Sequence, residues 1–126
     1  MSLRTRPIGL WAPVVMYMAV IFYVSSLHEA PLPPGIADKP AHSIGYLGLG
    51  VVVVRALTRG LPTRVRWGPM LAALAICVAY GASDEFHQSF VPGRSADVRD
   101  LVADAIGAFG GIIACWAWGI IASASA

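Results

Sequence analysis

The sequence predicts an all-α integral membrane protein, a bundle of four transmembrane helices with both termini in the cytoplasm. Three observations lead there. Only 13% of the 126 residues are charged, against about 25% in a soluble domain, too few to cover a water-facing surface. The mean hydropathy is +0.68, and the polar residues sit in short clusters that separate four long apolar segments. A bilayer core about 30 Å thick needs roughly 20 apolar residues as helix, and each segment comes close to that length. Residues 1–126 leave no room for a soluble module, so one transmembrane domain is expected. The net charge of +2 and the lack of a basic stripe interleaved with aromatics argue against a nucleic-acid partner.

The first span is expected over about Ile8 to Leu27, "IGLWAPVVMYMAVIFYVSSL". Arg4 and Arg6 precede it as in a signal peptide, but the run exceeds a signal h-region and no A-x-A site follows. It reads as an uncleaved span. "HEAPLPPGIADKP" then stops the helix with four prolines and a glycine, through missing N–H groups and fixed φ. The second span covers about Ala41 to Leu57, headed by Asp38 as an N-cap with Pro40 in the first turn. "TRGLPTRVRW" is a short basic turn, and the third span runs from about Trp67 to Phe86. Val91-Pro92-Gly93-Arg94 suits a type II turn, and the fourth span extends from about Val98 to Ile121. Cys77 and Cys115 lie inside apolar runs and read as small buried hydrophobes, with a disulfide between their helices as the alternative. Trp11, Trp67, Trp116 and Trp118 read as interfacial or lipid-facing anchors.

Orientation follows from basic residues. Arg4, Arg6, Arg55, Arg59, Arg64 and Arg66 fall on the side of the N-terminus and the second loop, Lys39, Arg94 and Arg99 on the other. Six against three places both termini inside the cell. The same topology gathers all seven acids (Glu29, Asp38, Asp84, Glu85, Asp97, Asp100, Asp104) and all three histidines (His28, His42, His87) into one non-cytoplasmic layer.

At 100° per residue these groups also share faces. Asp38, His42 and Tyr46 lie together on the second span, with Gly45 and Leu49 on the same stripe. Tyr80, Asp84, His87 and Gln88 share an arc of the third, with Glu85 on its flank. Asp97, Asp100, Asp104, Gly107, Ala108 and Gly111 form one stripe on the fourth. The helix macrodipole accounts for carboxylates in a first turn. Asp104 is two turns in, where a carboxylate costs about 2.5–3.5 kcal/mol unless it faces protein or water. The acids are therefore expected to point into the bundle, either as a functional site or as a structural network neutralised by Arg94 and Arg99.

"DKPAHSIGYLGLG" followed by "YGASDEFHQSFVPGRSADVRDLVADAIGAFGG" resembles the signature of the VanZ-like membrane proteins. The matching positions are Asp38, Lys39, His42 and Tyr46 in the first segment. In the second they are Tyr80, Gly81, Asp84, Glu85, His87, Gln88, Phe90, Pro92, Gly93 and Arg94, and then Asp100, Asp104 and Gly107. The likeness spans about residues 15 to 115 and is most specific in the second segment. One departure is Asp104, where many members carry Asn. The resemblance implies a multi-spanning protein of the cell envelope. The family takes its name from a protein linked to low-level resistance to teicoplanin, a lipoglycopeptide.

The expected function is an outer-leaflet site that binds or modifies an anionic head group. Its partners would be membrane lipids, a cell-wall lipid precursor or a lipoglycopeptide. Lys39 and Arg94 are the anion contacts, since a guanidinium grips phosphate or carboxylate bidentately, and Tyr46, Tyr80 and Gln88 complete the ligand-binding set. His42 and His87 are the acid–base candidates, with Asp84, Glu85, Asp100 and Asp104 as the other catalytic candidates. The reaction class would be hydrolysis or transfer at a lipid-linked phosphate or glycosidic group. The only cofactor the pattern suggests is a divalent metal on Asp84, His87, His42 and Asp100, a donor set suited to zinc, manganese or iron. Two other classes stay open: a small proton-coupled transporter, which a homo-oligomer would help to build, and a non-catalytic structural or regulatory membrane subunit.

Overall fold

The computed structural model describes residues 6–25, 38–91 and 98–125, the side chains of 38–42 and 125 excepted. Four helices make up almost all of this: α1 (Pro7–Ser25), α2 (Asp38–Thr58), α3 (Trp67–Gln88) and α4 (Val98–Ser125). There is no strand among the described residues. Each helix falls on an expected span. α2 begins three residues earlier than its apolar run, at Asp38, and α4 continues four residues beyond Ile121.

Successive helices run antiparallel, so one end of the bundle collects the C-termini of α1 and α3 with the N-termini of α2 and α4. α2 and α3 occupy the middle. α4 lies against both and most closely on α2; α1 packs on the other side and does not touch α4 among the described residues.

The α2–α4 seam is close because side chains are missing from it. A Cβ on Gly107 would strike the carbonyl of Ser43, and one on Gly111 the carbonyl of Leu47. From the other helix, a Cβ on Gly50 would stand 2.6 Å from the Ala108 carbonyl oxygen. Small residues let the two backbones meet, and the contact gains dispersion energy summed over many atom pairs. The Ser43 hydroxyl adds a hydrogen bond to the Ala103 carbonyl at 2.9 Å. Gly45, expected on the stripe of Asp38, His42 and Tyr46, meets nothing within 4 Å. α2 turns Ser43, Leu47 and Gly50 to α4 instead, leaving Tyr46, Leu49 and Val53 for the core.

α1 is held more loosely. Only Leu10, Val14 and Ser25 are buried on it. Its ties are specific ones: the Tyr17 ring over Gly48, where a Cβ would overlap the phenol, and two bonds to its backbone. Arg55 Nη1 donates to the Gly9 carbonyl at 3.1 Å, and the Tyr80 hydroxyl to the Met18 carbonyl at 2.5 Å.

α2 ends in a Schellman motif. Gly60 N–H reaches the Arg55 carbonyl at 2.9 Å and Arg59 N–H the Ala56 carbonyl at 3.4 Å, with Arg59 at φ +64°. These bonds satisfy carbonyls that the helix end would orphan. The expected turn at Val91–Arg94 falls for the most part outside the described residues.

The core is apolar from the middle of the bundle to its second-loop end. Val53, Val54, Ala73, Cys77, Ala108, Ile112 and Cys115 are all buried there. Both cysteines are free and buried. The outer surface is apolar as well: Val15, Met16, Val20, Ile106, Phe109, Ile121 and all four tryptophans are exposed. Two helices, Pro7–Ser25 and Val98–Ala124, are long and apolar enough to cross a membrane. α2 offers a shorter apolar stretch, Ser43–Thr58, and α3 gives its last turns to Asp84, Glu85, His87 and Gln88.

Candidate functional site

The polar residues come together at the end of the bundle opposite the second loop. α3 sets the centre. Its last two turns carry Asp84, Glu85 and Gln88, which are buried, and Phe86, which is exposed. Backbone bonds then tighten from Ser89 to Val91, where Phe90 N–H bonds to the His87 carbonyl at 3.1 Å and Val91 N–H to the Gln88 carbonyl at 3.0 Å. α4 supplies Asp100 and Asp104 from its first two turns, both buried. Four carboxyls and an amide are thus withdrawn from the surface within one layer.

Asp84 is the best-defined member. The Ser25 hydroxyl of α1 donates to Asp84 Oδ1 at 2.5 Å, and the Tyr46 hydroxyl of α2 to Asp84 Oδ2 at 3.4 Å. Three helices therefore meet at one carboxylate. Asp104 reaches the same seam from α4. Its Oδ2 lies 3.3 Å from where a Cβ on Gly81 would stand, so the absent side chain at Gly81 gives the carboxylate its room. Both Asp84 and Asp104 act electrostatically on the Tyr46 phenol. Tyr46 and Tyr80 face each other with centroids 6.4 Å apart.

Two details differ from the helical-wheel expectation. Glu85, expected on the flank, is buried with Asp84 and Gln88. α3 touches α1, α2 and α4, so its buried arc is wider than one face. His87 is half-buried at the rim and stacks on Phe22 of α1, with centroids 4.2 Å apart and planes at 25°. Tyr80 likewise turns its hydroxyl to the α1 backbone. Of the other candidates, Lys39 and His42 lie in the first turns of α2 with their side chains outside the described set, and Arg94 falls outside the described residues. Among the described residues, no group of three His, Cys, Asp or Glu side chains could hold a metal ion.

Sequence reasoning missed Ser25, which donates to Asp84 at 2.5 Å. The only signal was a Ser25-Ser26 pair closing an otherwise apolar run; nothing in one sequence pairs it with a residue on α3.

Four helices and no strand among the described residues, two of the helices long and apolar enough to span a membrane, and four acids buried at one end are consistent with a small helical membrane protein. More particularly, the chain belongs to the VanZ/LLP1 family, whose model matches residues 8–121. Neither the curated proteins nor the solved structures contain a match to it.

Proposed function

We propose that all four helices cross the membrane, with both termini cytoplasmic, and that the polar end is an outer-leaflet site for the anionic head group of a lipid, cell-wall precursor or lipoglycopeptide. The observation that supports this best is the burial of Asp84, Glu85, Gln88, Asp100 and Asp104 at one end of helices with apolar outer faces. Intramembrane ionisable groups are costly, about 2.5–3.5 kcal/mol each at a helix centre, and characteristically mark binding or relay sites. Arg94 and Lys39 are the anion contacts of this reading. His87, at the rim, is the group suited to acid–base work. The family takes its name from a protein linked to lipoglycopeptide resistance, which brings such a ligand within the class.

A proton relay through the bundle finds less support. Below the cluster the described core is Val53, Val54, Ala73, Cys77, Ile112 and Cys115, which offers no acidic or imidazole stepping stone.

Cysteine labelling tests the orientation. Ser95→Cys should react with an impermeant thiol reagent in intact cells and Thr63→Cys should not, against the low background of two buried native cysteines. The reverse pattern moves the site to the cytoplasm. The site itself is tested by Arg94→Ala and His87→Ala, each measured for thermal stability in detergent and for lipid or glycopeptide binding. Both variants should stay folded and lose binding. Loss of stability with no separable loss of binding would make the cluster a scaffold.

A further inference from the structure

The end of the bundle opposite the site carries the other sign of charge. Every Asp and Glu among the described residues lies at the polar end, and none falls in 43–83 or 105–125. Around the second loop the charged residues are arginines. Arg59, Arg64 and Arg66 are exposed, and so is Arg6 at the start of α1. None of the four has a carboxylate partner among the described residues. Along α3, Arg66 and Asp84 stand about 27 Å apart at 1.5 Å per residue, far beyond the reach of an ion pair.

These arginines stand on a loop that the bundle holds in place. Val65 is buried in the core cluster and Leu61 packs against it. Thr63 lies directly on α4, since a Cβ on Gly119 would strike its carbonyl. The Thr58 hydroxyl donates to the Gly60 carbonyl at 3.1 Å, beside the Schellman motif that ends α2. With Val65 drawn inward, its neighbours Arg64 and Arg66 are turned out. Trp67 follows at once and is 77% exposed. Leu71 and Ala75 continue the same face of α3 at four-residue spacing, and both are exposed. Cations at the rim, an indole beside them and an apolar track down the helix match the order of a phospholipid, from phosphate to acyl chain.

We propose that the second-loop end binds an anionic phospholipid, its phosphate drawn to Arg59, Arg64 and Arg66 and one acyl chain lying along Trp67, Leu71 and Ala75. This site is distinct from the polar end and uses neither the orientation nor the head-group reading above; it rests only on the helices lying in a bilayer. A guanidinium grips phosphate through paired N–H donors, and an indole ring favours head-group depth. A zwitterionic lipid brings its own cation beside the phosphate, which offsets part of the attraction, so the arginines select net negative charge. A free phosphate would leave the apolar track unused.

The test uses the full-length protein in detergent, with phosphatidylglycerol and phosphatidylcholine of the same acyl chains compared by native mass spectrometry. Phosphatidylglycerol should bind at least about fivefold tighter, the worth of one arginine beside an anionic surface. The triple variant Arg59→Gln, Arg64→Gln and Arg66→Gln should erase the difference. Its melting temperature without added lipid should stay close to the parent's, because all three side chains are exposed. Arg94→Ala, which removes an anion contact of the polar-end reading, should leave the preference in place. Phosphatidylglycerol should raise the parent's melting temperature where inorganic phosphate at the same concentration does not. Equal binding of the two lipids by the parent would overturn the proposal without recourse to any variant. A preference that survives the triple variant and disappears in Arg94→Ala would move the lipid to the polar end and overturn it too. Equal stabilisation by inorganic phosphate would overturn the assignment to a lipid.

Discussion

Along α4 a single stripe changes character within two turns. Asp100 and Asp104 face the bundle at one end; Gly107, Ala108 and Gly111 continue the same face towards the other. The two regions share a helix, a periodicity and a neighbour in α2, yet they solve opposite problems. In the lower region the residues contribute by having almost no side chain, so that the backbones of α2 and α4 touch at Ser43, Leu47 and Gly50. In the upper region the side chains are kept despite their cost, and neighbours are arranged around them: Ser25 and Tyr46 on Asp84, the bare Cα of Gly81 beside Asp104. The seam is where the fold obtains close packing, and the polar end is where it tolerates an expense. Substitutions in the first should therefore lower stability, and substitutions in the second should act on function or on how α1 is held.

The seam offers the largest expected effect. Gly107→Leu places a branched side chain where the Ser43 carbonyl already stands, and backbone on a packed helix yields less readily than a flexible side chain. Overpacking of this kind costs about 3 kcal/mol or more, read as a fall in detergent melting temperature, whereas Gly45→Leu, facing open space, should leave it nearly unchanged. Equal effects of the two would break the contrast between the regions.

At the polar end the changes are smaller and graded by geometry. Ser25→Ala removes the 2.5 Å donor to Asp84, and the strongest side-chain bonds within membranes are worth about 1.7 kcal/mol. Its signature should be local: limited proteolysis or hydrogen exchange of α1 should rise before the α2–α4 pair melts, because α1 has few buried residues to hold it. Tyr46→Phe should matter least. Its bond to Asp84 is 3.4 Å long, and side-chain bonds within membranes average about 0.6 kcal/mol. If Tyr46→Phe proves worse than Ser25→Ala, then Asp84 is held chiefly from α2, and α1 is incidental to the site.

Much of this was legible in the residues themselves. Low charge, four apolar runs and proline- or glycine-rich breaks place four helices, because each signal is local and depends on lengths and backbone limits that hold in any context. The family is legible for the same reason, since "DEFHQSFVPGR" keeps its meaning wherever the chain goes. The inward stripe of α4 is also readable, because charges and glycines at helical spacing on an apolar helix have few other uses. What only the tertiary structure decided are the relations between helices: that α2 meets α4 through Ser43, Leu47 and Gly50 and not through Gly45, that Glu85 is buried and His87 stacks on Phe22 at the rim, and that a serine closing α1 is a partner of Asp84. A helical wheel gives the angle of a side chain about its own axis. Which angle becomes the inside depends on where the neighbouring helices come to rest, and that is set by close packing summed over the whole bundle.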